Sequence, residues 1–209
     1  TDLAGQIRAT QALGWRHIEA RAIDGVNIHD LPDETFDRVC GQLADAGITI
    51  NAFGSTIANW GRRITDPFEP DLEAARRAIA RMQRLGVRMI RIMSYAVLEE
   101  RAPDDQMVEE RVRRLRELTA LFLDNGITPL HENCMNYGGM GWRYTLTLIE
   151  RVPGLRLVFD TGNPVFAADR MRSEPWPRQS SWEFYSHVRE HVVHVHVKDC
   201  RWDGELGRP

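Results

Sequence analysis

The sequence predicts an α/β fold, most of a parallel (β/α)8 barrel. Three observations carry that prediction. A charged amphipathic helix, a glycine and a short apolar strand recur in that order along the chain. No Gly-rich phosphate loop of the GxGxxG or GxxxxGK[ST] type follows any strand, as a nucleotide-binding open sheet would show. Polar residues collect at the C-terminal ends of many different strands, at Glu19, Asn51, Ser94, Glu132, Asp160 and His196. Barrel enzymes assemble their sites at those ends.

The repeating unit reads in order as ATQALGWRHIEAR, VCGQLADAGITINAFGS, AIARMQRLGVRMIRIMSY, LTALFLDNGITPLHEN and LIERVPGLRLVFDTGN. Gly14, Gly47, Gly86, Gly126 and Gly154 stand where each helix must turn off, a position that favours a left-handed backbone. Within 71–85, Leu72, Ala75, Ile79, Met82 and Leu85 recur at helical steps with Arg and Glu between them. Val108, Val112, Leu115, Leu118, Leu121 and Phe122 do the same over 108–123. A sixth strand is expected at 192–198, after a helix suggested by QSSWEFYSHVREH. It places His194, His196 and Lys198 on an inward face, and Val193, Val195 and Val197 outward against helices. MRSEPWPRQSSW, 171–182, reads as a long βα loop and a lid or rim.

The 209 residues form one domain, 1–209, without a linker or low-complexity segment. A net charge of −3 argues against a nucleic-acid partner held by phosphate contacts. No apolar run suits a bilayer crossing, so no membrane partner is expected. Cys40, Cys134 and Cys200 have no CxxC spacing and suggest a reducing, cytoplasmic setting. The chain begins without Met inside a helical pattern and reads as truncated there.

LHEN supplies Glu132, VFDTGN supplies Asp160 and HVHVKD supplies His196, each in or just after an apolar strand. Burying such charges unpaired costs several kcal/mol. Three consecutive barrel strands would bring them to one point. This mixed O/N set suits Mn²⁺, Mg²⁺, Co²⁺, Fe²⁺ or Zn²⁺.

Through LGWRHIEAR, LHEN, LVFDTGNP and VVHVHVKD, the chain resembles the xylose isomerase-like TIM-barrel superfamily, specifically its sugar phosphate isomerase/epimerase family. The resemblance implies one divalent metal ion held by Glu132, Asp160 and His196, with a fourth Glu from the eighth strand. It also implies that the first and eighth strands lie outside 1–209, with the fourth ligand beyond Pro209. The implied activity is isomerisation or epimerisation of a keto sugar, sugar phosphate or polyol through a metal-stabilised enediolate. A lyase or dehydratase acting on a keto sugar or keto-glycoside is the alternative. The chain departs from the family at Asn163, where sugar epimerases often carry His.

Glu132 and Lys198 are the candidate catalytic groups, the first as proton acceptor and the second as acid or oxygen binder. Glu19, Arg91, Asn163 and His194 are candidate substrate contacts. Against these stand simpler readings: Glu19 paired with Arg21 or Arg91, Lys198 in a salt bridge, and His194 as packing beneath His196. Asn136 and Tyr137 could reach substrate or serve a turn, and Trp60, Trp142 and Trp176 could stack on a sugar ring. An endonuclease IV-like activity would need more His and carboxylate ligands and a basic face. A non-catalytic sugar-binding barrel is a further class. The expected partner is a small carbohydrate, with a homo-oligomer compatible.

Overall fold

The structure, a computed structural model, describes residues 2–205. The ends of the predicted domain, 1 and 209, lie outside the described residues. In chain order come α1 (Leu3–Ala12), β1 (His17–Ala20), β2 (Ala22–Ile23), β3 (Val26–Asn27), α2 (Asp33–Asp45) and β4 (Thr49–Gly54). Next are α3 (Glu69–Leu85), β5 (Met89–Ile92), α4 (Val108–Leu123), β6 (Thr128–Glu132), α5 (Trp142–Arg151) and β7 (Arg156–Asp160). The short α6 (Asn163–Phe166), α7 (Ser181–Val188) and β8 (Val192–His196) follow. The sequence pattern does not predict the β2–β3 hairpin.

Six strands pair in parallel in the order β1-β4-β5-β6-β7-β8. They make part of a (β/α)8 barrel wall, curled so far that Glu19 on β1 reaches His194 and His196 on β8. The five predicted helix-ending glycines all have positive φ, between 66° and 86°. An L side chain at such a position is strained, so glycine ends each helix and lets the next strand begin.

Helix α3 buries Leu72, Ala75, Ile79 and Met82 of the predicted stripe, and its fifth residue, Leu85, is half-buried against the same core. Helix α4 buries Val112, Leu115, Leu118 and Phe122, but also Arg111 and Arg114, which fall outside its apolar stripe. Arg111 is fully enclosed. It donates to the carbonyls of Gln106 at 2.6 Å, Ala96 at 2.8 Å and Ser94, clasping the loop that follows β5. A buried guanidinium requires such acceptors.

Strand β8 departs from expectation. It ends at His196, so Lys198 lies beyond the ladder. Val193 and Val195, and Val197 just past the strand, are 46%, 43% and 85% exposed, whereas Val192 packs against the cluster of Phe184 and Val188 from α7. Among the described residues β8 stands at one edge of the sheet, and α7 packs on Leu157 and Phe159 of β7. Two ladders also slip by one residue. Ile18 pairs with Ile50 but Glu19 with Ala52, making Asn51 an extra residue on β4. Leu157 pairs with Val192 but Val158 with His194, making Val193 extra on β8. Bulges of this kind re-aim side chains near sites.

Candidate metal centre

The register of three parallel strands brings the predicted ligands together. Glu132 ends β6, Asp160 ends β7 and His196 ends β8, directly opposite Asp160 in the ladder. One ligand atom from each lies within 4.8 Å of the others. Glu132 and Asp160 are buried, whereas His196 keeps a fifth of its side-chain surface.

Each carboxylate is held by a different set of donors. Arg91 Nη1 donates to Glu132 Oε2 at 2.9 Å, and its Nη2 donates to the Ser55 carbonyl at 2.7 Å. Arg91 therefore serves Glu132, not Glu19. Asn163 Nδ2 donates to Glu132 Oε1 at 3.1 Å. The backbone N–H groups of Gly162 and Asn163 both donate to Asp160 Oδ1 at 2.9 Å. Asp160 Oδ2 is left to Lys198 Nζ at 2.7 Å, and the same ammonium donates to Asn163 Oδ1 at 3.1 Å.

His196 joins the two halves. Its Nε2 lies 2.8 Å from Glu19 Oε2, while Nδ1 lies 3.3 Å from Glu132 Oε1 and 3.8 Å from Asp160 Oδ2. When Nε2–H donates to Glu19, the Nδ1 lone pair faces two carboxylates. That arrangement calls for a positive charge between them, either a second proton or a cation. Burial opposes charging the ring, but hydrogen bonds to Glu132 and Glu19 outweigh it and raise His196 to about 9. Burial would likewise lift both glutamates. His196 and Arg91 instead lower Glu132 to about 2, and His194 and His196 lower Glu19 to about 2. The donor set thus fits a divalent cation, with Glu132, Asp160 and His196 Nδ1 as its holders. Glu19 would then hold the far nitrogen of the ligand imidazole.

Several supporting residues emerge only in three dimensions. Asn133 donates to the Asp160 carbonyl at 3.0 Å and accepts from the Asp160 N–H at 2.7 Å, extending the β6–β7 pairing by one side-chain amide. Its place in LHEN, just after the strand ends, is the one sequence signal for that role. Asn136 is buried, donates to the Glu132 carbonyl at 3.0 Å and accepts from Ser94 Oγ at 2.7 Å, so its amide holds the turn after β6. His131 completes that cluster, its Nε2 lying 3.0 Å from Ser94 Oγ. Tyr137 is buried. Asn51 sits inside β4, not at its end.

A cleft of about 470 Å³ opens above β5, β6 and β7, lined by Trp60, Met135, Asn136, Phe166, Arg170 and Arg178 among others. Of the three predicted ring-stacking tryptophans only Trp60 lines it. Trp142 stacks on His187 at 3.8 Å and Trp176 on the Arg170 guanidinium at 4.3 Å, so each is engaged elsewhere. A second, more open space of about 820 Å³ lies beside Glu19, Asn51, His194 and His196.

A parallel barrel wall with a carboxylate-imidazole cluster at its strand ends places the chain among α/β barrels that gather polar groups at the C-terminal ends of their strands. Within that class, a family model described as xylose isomerase-like TIM barrel matches residues 7–208, and the chain belongs to that family. No curated protein matches the sequence. Among solved structures, the chain is similar to a xylose isomerase-like TIM barrel protein from Mycobacterium smegmatis in complex with magnesium. The two share 22% identity at a TM-score of 0.73, over 98% of this chain and 69% of that one. It is also similar to the probable 3-DHS dehydratase of petrobactin synthesis from Bacillus anthracis, with 18% identity, a TM-score of 0.67, and 94% and 67% coverage. The 3-keto-D-glucoside 4-epimerase from E. coli matches with 16% identity, a TM-score of 0.64, and 95% and 74% coverage. These likenesses show the fold. Among the described residues, no helix is long and apolar enough to cross a membrane.

Proposed function

We propose that the chain carries the site of a divalent-metal-dependent enzyme that isomerises or epimerises a keto sugar or polyol. The observation that carries this reading is the convergence of Glu132, Asp160 and His196 Nδ1 within 4.8 Å of one another. A divalent ion held by these three residues would supply Lewis acidity, which polarises a carbonyl oxygen and acidifies the neighbouring C–H.

The chain's own groups divide the remaining work. Arg91 fixes Glu132 Oε2, leaving Oε1 as the edge turned to the site. Oε1 is positioned to take a proton from the substrate carbon, and Lys198 Nζ, about half exposed at the mouth, to return one. Asn163 holds both Glu132 and Lys198 in register. Return of the proton to another carbon or another face gives isomerisation or epimerisation. A second reading follows from the same lysine: delivered to a β-substituent instead, its proton would make the reaction an elimination. Two of the similar structures are described as an epimerase and a dehydratase, which supports keeping both reactions in view.

Calorimetry with Mn²⁺ tests the reading, with about one ion expected per chain and none after Asp160→Ala. A folded chain that takes up no divalent ion sinks it. A panel of keto sugars and keto-glycosides then separates isomerase from lyase.

A further inference from the structure

The side chains around His196 form two donor sets, and only one belongs to the proposed site. The other is Glu19, His194 and His196, whose ligand atoms also lie within 4.8 Å of one another. Glu19 Oε2 lies 2.8 Å from His194 Nε2 and 2.8 Å from His196 Nε2. At 2.8 Å the three groups share hydrogen bonds; ligands on a four-coordinate ion with bonds of about 2.0–2.2 Å stand about 3.3–3.6 Å apart, so an ion would replace the shared protons and spread the groups slightly. All three side chains are about one-fifth exposed. They border the 820 Å³ space. Asn51 borders the same space, and its Oδ1 is buried without a hydrogen-bond partner. Both ladder slips fall here, at Asn51 on β4 and Val193 on β8.

The geometry points to a second metal position, formed by Glu19, His194 and His196, that takes late transition ions. Two imidazoles and one carboxylate suit Zn²⁺, Co²⁺, Ni²⁺ or Cu²⁺, while the oxygen-richer Glu132, Asp160 and His196 set suits Mg²⁺ or Mn²⁺. His196 faces this position with Nε2 and the other with Nδ1. A neutral imidazole has one lone pair on nitrogen to give, so the two positions compete for the ring. Zn²⁺ at Glu19 therefore withdraws His196 from the other set and weakens Mn²⁺ binding there. The second position itself stands independently of the proposed activity.

Co²⁺ absorption in the visible and Zn²⁺ calorimetry read this position directly. In His194→Ala, Zn²⁺ affinity should fall about tenfold or more while Mn²⁺ binding persists; in Glu19→Gln, Zn²⁺ affinity should fall as much, and Mn²⁺ binding should weaken too because Glu19 also holds His196. Persisting Mn²⁺ binding also shows that the variant has folded. In Asp160→Asn the pattern should reverse, with Mn²⁺ lost and the Co²⁺ spectrum retained. Unchanged Zn²⁺ affinity in both His194→Ala and Glu19→Gln overturns the proposal. So does loss of Zn²⁺ and Mn²⁺ together in Asp160→Asn, which would place both ions in the oxygen-rich set. Failure of Mn²⁺ alone to bind the unaltered chain counts against the proposed function and leaves the Zn²⁺ position standing.

Discussion

Arg91 and Glu132 form a buried ion pair between adjacent strands: Nη1 lies 2.9 Å from Oε2, with side chains only 6% and 4% exposed. Because β5 and β6 pair in register, the arginine reaches the end of the neighbouring strand while its second nitrogen holds the Ser55 carbonyl. One oxygen of Glu132 is thereby fixed, and the other is aimed at His196 and Asn163. Fold stability and site geometry meet in this pair.

Arg91→Met should remove both functions. Breaking a buried pair by deleting one partner leaves the other charge uncompensated, at a cost of about 3–5 kcal/mol. Urea unfolding should show that loss. Arg91→Lys should recover only part of it, because an ammonium lacks the fork that spans Glu132 and Ser55. Full stability in Arg91→Met would contradict the pair's structural weight.

Lys198→Met should separate the cation's two roles. Its ammonium occupies Asp160 Oδ2 at 2.7 Å, so its removal frees a carboxylate oxygen and should tighten Mn²⁺ binding. Turnover should fall by about 10²–10⁴ if Nζ transfers a proton in the reaction. Calorimetry and steady-state rates on the same preparation check both; turnover at the wild-type level would remove Lys198 from the chemistry.

His29 should make stability sensitive to mild acid. It is 1% exposed, and its Nε2 accepts the Thr56 N–H at 3.4 Å, which the protonated ring cannot do. Burial lowers it from 6.5 to about 4, against the opposing pull of Asp30. Between those values the unfolded chain binds the proton and the folded chain does not. Its contribution is thus complete above pH 6.5, is lost as pH falls toward 4, and changes little further below. At about 1.4 kcal/mol per unit the loss is about 3 kcal/mol. Urea midpoints measured across this window should drop less steeply in His29→Gln than in the parent; parallel curves would refute the assignment.

Gly139→Ala should be severely destabilising. A Cβ there would lie 1.6 Å from the Cys134 carbonyl oxygen, a backbone atom in the turn that carries Asn136. Relief requires moving the loop that buttresses Glu132, so thermal unfolding should fall well below that of Gly41→Ala. Gly41 has nothing within 4 Å of an added Cβ and serves as the comparison.

Much of the fold is legible in the sequence because local rules and global fold agree. The glycines at 14, 47, 86, 126 and 154 end helices by backbone sterics, and the α3 and α4 stripes follow from helical period. Arg111 escapes such a reading because periodicity reports which face is inward, not whether an inward arginine finds carbonyls. The strand-end residues Glu132, Asp160 and His196 can be named because a charge in an apolar strand is costly unless a partner or an ion meets it there. Asn133 and Asn136 cannot, since their partners depend on where a strand stops.

The sequence by itself therefore determined the alternation of helices and parallel strands and three groups that must converge, since both follow from period, sterics and the cost of buried charge. Only the tertiary structure decided which partner each group takes. Register set Asp160 opposite His196, and the curl of the sheet brought Glu19 across to both histidines of β8. Those contacts join residues more than 170 positions apart, where no local rule reaches.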